Sequence, residues 1–485
     1  MRSVAATEQP SVARTAIPLC VDLDGTLLRT DVLLEGMLKL LRRNPLYAVL
    51  MLVWLIRGRT VLKEEVAKRI SLAIDTLPVN QELLEWLRGE KAAGRRLVLC
   101  TSAWHTVAAE VARRFAVFDE VLATDASVNL LGSNKARRLV ERFGERGFDY
   151  VGNALPDLSV WQRANAAIVV EPTIALASAI RRVPHVERIL AATRRRSVSW
   201  LRACRFHQWS KNVLIFVPAL ASHRILEPAI LGDTIFAFVS FSLAASGNYL
   251  LNDLFDLESD RVHPTKRNRP FASGELQIPE GLVAAVLLIL SGLVLGGAAL
   301  GWWFFGILVG YLLVSWWYSL ALKRNPVVDI MCLAALYTLR VIAGSAATGI
   351  EPTFWLLAFS MFLFLSLAAA KRVTELGILR VQGATTSAGR GYDFQDVPLL
   401  LSFGIASGYL SVLVMALYVE SGAEALYAEP RLLWFICPVL LYWISRIWLK
   451  AHRLQLHEDP VVFALSDRPS QLAGILCVLL VLLAA

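Results

Sequence analysis

Cysteine and charge are both scarce in this sequence. Six cysteines are spread along 485 residues, and none forms a CxxC pair or a regular disulfide framework. Cys20 and Cys100 lie in apolar runs typical of buried strands, where a thiol is usually a small core side chain. Charged residues make up 18% of the chain, against about 25% in soluble proteins. This composition argues against a disulfide-stapled secreted domain and against a wholly soluble protein.

The amino terminus lacks the apolar central segment of a secretory signal. Residues 1–16 are polar or small, so we expect them to be disordered and the domain that follows to stay in the cytosol. The net charge is +9, but no nucleic-acid-binding motif accompanies it. Lys and Arg lie beside apolar segments instead, where anionic lipid headgroups attract them. The expected partner is therefore a lipid bilayer and not a nucleic acid.

Hydropathy divides the chain into two parts. Charged residues crowd the first 210 positions, and long apolar runs fill the rest. We predict a soluble domain over 17–190 and a transmembrane domain over 211–485. Residues 191–210 contain three consecutive arginines and two tryptophans, a composition typical of a basic helix at the lipid headgroup surface.

Strands and helices alternate through the soluble part. Short apolar runs bounded by polar turns predict the strands, and charged helical segments such as 105–115 and 134–144 lie between them. This alternation predicts an α/β doubly wound domain with a parallel sheet. The predicted strands are Ile17–Val21, Leu97–Cys100, Tyr150–Val151 and Ala167–Val170.

A helical cap is predicted over residues 27–95. Within it, the segment Leu46–Ile56 is apolar but short. A helix that spans a bilayer needs about 20 residues, which this segment does not supply. We therefore interpret it as a cap helix that touches the membrane surface.

The rest of the chain predicts an all-α polytopic membrane domain of about nine transmembrane helices. If the soluble domain lies in the cytosol, the inner loops hold 14 Lys and Arg residues and the outer loops hold 2. This asymmetry favours an inner or plasma membrane protein with a cytoplasmic amino-terminal domain. The predicted spans are 211–223, 230–251, 281–300, 302–321, 327–350, 353–370, 399–420, 431–449 and 470–485.

An acid-rich segment follows the second predicted span. Asn252, Asp256 and Asp260 are spaced four apart, which would place them along one stripe of a helix, and Asp253 lies beside them. Oxygen ligands in this arrangement suit Mg²⁺. A basic run follows, in which Lys266 and Arg267 are candidates for phosphate contacts.

The NDxxDxxxD pattern over 252–260 resembles the first aspartate-rich motif of UbiA-type prenyltransferases. Within that superfamily the resemblance is closest to the decaprenyl-phosphate phosphoribosyltransferase group. It implies that Asp253, Asp256 and Asp260 bind Mg²⁺ and that Asn252 contacts the metal or a ribose. The stretches that carry it are Arg205–Asn212, Asn252–Pro270, Tyr318–Ile330 and Ala369–Leu376.

Members of this superfamily that use prenyl diphosphates resemble one another in a second aspartate-rich motif. The corresponding loop here opens with Lys371 and Arg372, and Glu375 is the one acid in that short motif, residues 371–375. A basic pair does not bind metal but can hold a phosphate. The implied substrates are phosphoribosyl pyrophosphate, which carries a diphosphate and a 5-phosphate, and polyprenyl phosphate.

Two further cations lie in or beside predicted spans. Arg340 is within the fifth predicted span, where a charge is costly and usually functional, although it can also reach an interface. Lys211 begins the first predicted span and either binds a phosphate or anchors the chain at the membrane surface.

A second site is predicted in the soluble part, at CVDLDGTLL over 20–28. Asp22 and Asp24 follow an apolar strand, and the DxDGT pattern resembles the first motif of the haloacid-dehalogenase superfamily. The resemblance implies an aspartyl nucleophile, Asp22, and a general acid and base, Asp24. It also implies that Thr101 and Lys135 bind the substrate phosphate. Both aspartates, with Asn153 and Asp157, would be Mg²⁺ ligands.

Position 153 departs from that family, which usually has Asp there. An amide can ligate Mg²⁺ but supplies no charge, so the domain is either an active phosphatase or a degenerate binding domain. If active, it would remove the 5-phosphate from the phosphoribosyl lipid made by the transferase.

Two other functions stay open at this point. One is prenyl transfer from a prenyl diphosphate to an aromatic acceptor, which shares the first acidic motif. The other is a polytopic transporter, which the position of the acids in a loop, away from the bilayer midplane, disfavours. The oligomeric state and the prenyl chain length are left open.

Overall fold

The computed structural model describes residues 16–183, 185–191, 196–381, 391–423, 426–456 and 459–485. Apart from Ala16, the predicted disordered terminus lies outside the described residues, as do residues 192–195 of the predicted basic linker. The chain forms two compact units, and each is described by itself. Unit 1 comprises Met1–Ala203 and Leu250–Val283, and unit 2 comprises Cys204–Tyr249 and Ala284–Ala485. The predicted boundaries at 190 and 210 stay predictions.

Unit 1 contains a six-stranded parallel sheet. In chain order the strands are β1 (Leu19–Val21), β2 (Leu97–Trp104), β3 (Glu120–Thr124), β4 (Asp149–Gly152), β5 (Ala167–Val170) and β6 (Val186–Leu190). Their spatial order is β3-β2-β1-β4-β5-β6, with every pair parallel. The predicted α/β parallel sheet is therefore confirmed. The sequence analysis missed β3 and β6 because these are the edge strands, where charged and apolar residues mix.

Both faces of the sheet are buried. Leu19 and Val21 pack into one hydrophobic core, and Cys20 between them packs into another. Side chains along a strand alternate between faces, so a strand covered on both sides reads as one continuous apolar run. This burial is why β1, β2, β4 and β5 are visible in the sequence.

Helices connect the strands of the sheet, and the predicted cap stays a prediction. Four of them lie between β1 and β2, within the predicted cap range. The helices of unit 1 up to residue 203 are α1 (Val32–Arg43), α2 (Tyr47–Arg57), α3 (Arg59–Arg69), α4 (Gln81–Ala92), α5 (His105–Phe115), α6 (Ser133–Phe143), α7 (Leu158–Trp161), α8 (Ile174–Ile180) and α9 (Arg196–Ala203).

The apolar helix α2 is held in the cap by only part of its surface. Met51 and Trp54 pack against Leu40 and Leu62 in a small hydrophobic core. Most of its other large apolar side chains are exposed; Ile56, for example, is 78% exposed. An exposed apolar helix bounded by arginines is typical of contact with a membrane surface.

Unit 2 is helical, and two of its long helices continue into unit 1. After a 3₁₀ segment (Phe206–Phe216), the remaining helices of the chain are α10 (Val217–Ala221), α11 (Pro228–Phe255), α12 (Leu257–Val262), α13 (Ile278–Leu320), α14 (Val328–Thr348), α15 (Phe354–Val381), α16 (Val397–Ser421), α17 (Ile436–His452), α18 (Pro460–Ser466) and α19 (Arg468–Ala484).

The predicted number of nine spans is not confirmed. Among the described residues, six helices are long and apolar enough to cross a bilayer, or seven if the bent pair α18 and α19 is one span. Predicted span 211–223 is instead a 3₁₀ segment followed by the short α10. Two other predicted spans merge into the 43-residue α13, which has a non-helical break at Gly301. Gly301 is the residue between these two predicted spans, so the predicted loop is a break inside one helix.

Close backbone packing brings the 3₁₀ segment against α14. A Cβ at Gly344 would lie 2.0 Å from the carbonyl oxygen of Ile215, so only glycine fits at this contact. The approach brings Asn212 within hydrogen-bonding distance of Arg340. Small residues at such crossings let membrane helices pack closely.

We predict that α2 contacts the membrane surface. Nitroxide labels on Leu52→Cys or Ile56→Cys in the full chain in lipid nanodiscs should be more accessible to oxygen than to an aqueous nickel complex, because apolar surroundings concentrate oxygen. A label on Arg88→Cys, an exposed position of α4, is the control and should show the reverse. Equal nickel accessibility at all three positions would contradict the prediction.

Candidate functional site

The soluble site gathers at the carboxyl edge of the central strands. Asp22 directly follows β1, and Asn153 directly follows β4, its neighbour in the sheet. Lys135 lies in the first turn of α6. Thr101 is buried inside β2, which runs four residues beyond its predicted end, and its hydroxyl accepts a hydrogen bond from the Ala103 amide.

Lys135 makes the central contacts of this site. Its ammonium donates to Asp22 Oδ1 at 2.7 Å and to the Tyr150 hydroxyl at 2.8 Å. The Tyr150 hydroxyl donates to Asp157 Oδ1, and both backbone amides of Asn153 and Ala154 donate to Asp157 Oδ2. Asp157 thus shapes the loop after β4, and it stays a predicted metal ligand.

The loop after Asp22 is shaped by Gly25. Its φ is +73°, and a Cβ there would lie 2.2 Å from Asn153 Nδ2, so glycine is required on both counts. Thr26 donates its hydroxyl to Asn153 Oδ1 at 3.1 Å. Asp24 Oδ1 accepts the backbone amide of Val32, the first residue of α1.

Burial shifts the proton affinities of this site. It raises the pKa of Asp22 to about 6, although Lys135 opposes the shift. It also raises the pKa of Asp24, which suits a group that donates a proton. Burial lowers the pKa of Lys63, a cap lysine bound to Asn129 Oδ1 and the Ser102 carbonyl, to about 8.

The donors at this site fit Mg²⁺ in kind. Asp22, Asp24 and Asn153 offer only oxygen atoms, as that ion prefers, with one negative charge fewer than three aspartates would supply. Among the described residues, no three His, Cys, Asp or Glu side chains form a ready metal site. Any Mg²⁺ here would therefore rely on the amide and on substrate oxygens.

The acidic motif, Asn252, Asp253, Asp256 and Asp260, does not form the predicted stripe of one helix. α11 ends at Phe255, and α12 begins at Leu257. Asp256 lies at the junction with non-helical backbone angles (φ −97°, ψ 8°). Asp253 and Asp260 lie on either side of this junction.

Arginines hold the carboxylates of the acidic motif. Nη1 of Arg269 lies 3.0 Å from Asp253 and 2.7 Å from Asp260, so one cation joins two acids. Asp256 pairs with Arg42 of α1 at 3.1 Å. Burial raises the pKa of Asp260, and Arg269 opposes that shift. The meeting of two carboxylates at one cation is the arrangement that a divalent metal would need.

The basic run after the motif lies at the surface. Lys266 and Arg267 form a short 3₁₀ turn, in which Arg267 is exposed and Lys266 is half-buried. Both stay predicted phosphate contacts. Arg269, which the sequence analysis did not select, has the closest described contacts with the acids.

Helix α1 contacts the same loop through three charged residues. Glu35, Lys39 and Arg42 share one face and pair with Arg261, Glu258 and Asp256 respectively. The Glu35 pair is bidentate and buried, with distances of 2.6 and 2.8 Å. Arg42 also donates to the Phe255 carbonyl at the end of α11.

In unit 2, two predicted phosphate-binding lysines share one carboxylate. The ammonium groups of Lys211 and Lys371 each lie 2.9 Å from Asp459 Oδ2. The Tyr337 hydroxyl donates to Asp459 Oδ1 at 2.5 Å. We call Lys211, Lys371, Asp459 and Tyr337 the lysine cluster. Its two cations and one anion leave one net positive charge.

Arg372 is neutralised within the protein. Its guanidinium is fully buried, donates twice to Asp329, and pairs with Glu375. Tyr318 also contacts both Arg372 and Asp329. Four donated hydrogen bonds leave little capacity for a phosphate, so Arg372 is a weaker candidate than Lys371.

Arg340 is buried among aromatic rings. Its guanidinium lies 5.1 to 5.5 Å from the ring centres of Tyr311, Phe241 and Tyr337. It donates to Asn212 Oδ1 at 2.9 Å, and none of its described hydrogen bonds goes to a carboxylate. A buried cation without an acid partner suits an anionic ligand.

Comparison with known proteins assigns the membrane part. Residues 213–466 match the UbiA prenyltransferase family, which is more than half of the chain. The chain belongs to that family. Its several apolar helices and this membership make it a multi-pass membrane protein.

The relatives of this UbiA family member align with different shares of its chain. The uncharacterized protein y4nM of Sinorhizobium fredii is 36% identical over 95% of this chain and 89% of its own length. A decaprenyl-phosphate phosphoribosyltransferase of Mycobacterium tuberculosis is 39% identical over 38% of this chain and 62% of its own length. A UbiA homolog structure from Archaeoglobus fulgidus with bound GPP and Mg²⁺ is 19% identical, covering 58% of this chain and 97% of its own, with a TM-score of 0.47.

Sequence reasoning missed several residues of these sites. Three predicted functional cations have partners that were not predicted. Lys135 donates to Tyr150, Arg372 to Asp329 and Lys211 to Asp459, and none of these partners lies in a motif that the sequence marks as functional. Asp329 does lie within Tyr318–Ile330, one of the stretches that carry the UbiA resemblance. That position was the available signal, although it does not identify Arg372 as the partner of Asp329.

We predict that Asp329→Asn lowers the free energy of unfolding of this UbiA family member by about 3 to 5 kcal/mol, because it leaves the buried Arg372 charge with Glu375 as its remaining described acid partner. Glu375→Gln should cost about 1 kcal/mol or less, because Glu375 is the partly exposed partner of the same arginine and Asp329 is the buried one. Unfolding by SDS titration of the detergent-solubilised chain, followed by circular dichroism, checks both. Equal losses would contradict the assignment of Asp329 as the main partner.

Proposed function

We propose that this protein transfers 5-phosphoribosyl from phosphoribosyl pyrophosphate to polyprenyl phosphate in a Mg²⁺-dependent reaction at the cytosolic membrane face. The phosphate oxygen of the lipid attacks the anomeric carbon, and pyrophosphate leaves. The anomeric carbon gains positive character as its bond to pyrophosphate breaks. Positioning of the two substrates and stabilisation of the developing charges therefore lower the barrier.

The observation that carries this proposal is the lysine cluster. Prenyl-diphosphate users resemble one another in acids at this second motif, whereas Lys371 and Lys211 here surround a single carboxylate, Asp459. A net positive cluster that is partly exposed at Lys371 suits a substrate phosphate that carries no metal. The name of the mycobacterial relative supports the same substrate pair.

Each group has a role that its own chemistry supports. Asp253, Asp256 and Asp260 would hold Mg²⁺, which would neutralise the departing pyrophosphate. Arg269 pairs with both Asp253 and Asp260, which keeps these two carboxylates together. Lys371, Lys211 and Arg340 would bind phosphate oxygens, while Tyr337 orients Asp459 between the two lysines.

We expect Asp253→Asn to lower transfer about a hundredfold or more, because the variant loses a metal-binding charge. The assay uses the purified chain with Mg²⁺, radiolabelled phosphoribosyl pyrophosphate and polyprenyl monophosphate, and follows label into the organic phase. EDTA should have the same effect.

Asp233→Asn is the matched control for this assay, since Asp233 lies on the same helix, α11, outside the acidic motif. It should keep the activity of the unaltered chain. If the unaltered chain transfers nothing from phosphoribosyl pyrophosphate but transfers a prenyl group from a prenyl diphosphate to an aromatic acceptor, the alternative function replaces the proposed one.

We further propose that the soluble site is a phosphatase that acts on the phosphoribosyl lipid. The Lys135 ion pair with Asp22 at 2.7 Å supports it, because the ammonium can neutralise phosphate charge beside the nucleophile. Asp22 would attack the phosphorus, and Asp24 would protonate the departing sugar oxygen. Water then cleaves the aspartyl phosphate, with Asp24 taking the proton, and releases inorganic phosphate.

We expect Asp22→Asn to abolish phosphate release from the phosphoribosyl lipid while transfer continues, since Asp22 lies outside the transferase motifs. Asn153→Asp should lower the Mg²⁺ concentration needed for half-maximal release, because it adds a charge to the metal site. Asp125→Asn, an exposed position of the same domain, is the control. Phosphate release that persists in Asp22→Asn would overturn the phosphatase assignment.

A further inference from the structure

We propose that Glu35 of the cap helix α1 is a positioning residue for the acidic motif, acting through Arg261. The proposal rests on the proposed role of that motif in binding a metal and a diphosphate. It assigns the amino-terminal domain a part in the transferase reaction that is separate from phosphatase chemistry.

The geometry of the ion pair supports this role. Both terminal nitrogens of Arg261 donate to Glu35, at 2.8 and 2.6 Å, and both side chains are nearly buried. The remaining guanidinium nitrogen, Nε, donates to the Ala272 carbonyl at 3.1 Å. A bidentate, buried pair fixes both distance and orientation, which an exposed pair does not.

The position of Arg261 in the chain transmits this constraint. Arg261 directly follows Asp260, and both lie in the short helix α12. Holding the Arg261 side chain therefore holds the backbone that presents Asp260 to Asp253 and Arg269. A helix of six residues is not stable alone, so it depends on such tertiary contacts.

Glu35 is itself firmly held. It lies in α1, whose first residue donates its amide to Asp24 and whose N-cap, Asp31, accepts from Leu34. The Thr30 hydroxyl donates to the Glu35 carboxylate. The Glu35 side chain therefore has little freedom to move. A fixed Glu35 helps to hold the loop in place although the carboxylates of Asp253, Asp256 and Asp260 repel one another.

The weaker pairs on the same face extend the contact. Lys39 with Glu258 and Arg42 with Asp256 are partly exposed, so they contribute less than the buried pair. Arg42 also competes with a metal for Asp256, so its removal would act in two opposing directions. Among the described residues, the side-chain partners of Glu35 are Thr30 and Arg261, neither of which is a proposed metal ligand, so Glu35 is the better position to test.

Hydrogen exchange of the peptide covering 253–262, in the full chain, tests the proposal with Mg²⁺ and inorganic pyrophosphate as the probe. In the unaltered chain we expect exchange to slow as the probe is added. Glu35→Gln should raise the half-maximal probe concentration by about three- to tenfold, because the unanchored loop must be ordered on binding. Glu35→Asp, which keeps the charge, should recover part of the affinity.

Arg261→Gln cuts the same pair from the loop side and should give the same shift, with no further shift in the double variant. Hydrogen exchange in β1 and β2 reports whether Glu35→Gln folds. If it does not fold, Arg261→Gln still tests the proposal. Glu65→Gln, on the neighbouring cap helix α3, is the matched control and should match the unaltered chain.

Two outcomes separate the possible failures. If the unaltered loop does not respond to the probe, the proposed metal and diphosphate role of the motif fails, and the inference fails with it. If the unaltered loop responds and both pair variants respond at the same concentration, the ion pair is a structural contact only and the inference alone is overturned.

Discussion

The pairing of buried charges is the constraint on which both units depend. Removing an ion from water costs several kcal/mol, and the cost is recovered only when a partner of opposite charge is held in good geometry. Lys135 with Asp22, Arg261 with Glu35, Arg372 with Asp329, and the two lysines with Asp459 all satisfy this rule. Arg340 is different, since its described partners are neutral.

This difference separates structural charges from candidate binding charges. Arg372 is bound by two acids and a tyrosine, so its charge is used inside the protein. Lys211 and Lys371 share one carboxylate, and Arg340 has aromatic neighbours, so these three keep unbalanced charge for an anionic substrate. The distribution of acids among the cations of this UbiA family member therefore decides which cations stay candidates for a phosphate.

The alignment with y4nM runs across both units, so the joining of these two parts is shared by a second protein. Within unit 1, charged contacts join helix α1 to the loop of the acidic motif. Helix α1 begins at a hydrogen bond to Asp24 and carries the residues that pair with the loop of the acidic motif. One helix is therefore part of two candidate sites.

The sequence by itself determined the parallel α/β domain, the polytopic membrane part and the two acidic motifs, because strand burial, hydropathy and DxDGT-type spacing are local properties. Only the tertiary structure decided the partners of those residues. The break at Asp256 replaced an expected helical stripe, and Asp459 reached Lys211 from 248 positions away. Pairing across such separations depends on how helices pack, and no local pattern encodes it. The edge strands β3 and β6 were missed for a local reason, since charged and apolar residues mix in them and give no continuous apolar run.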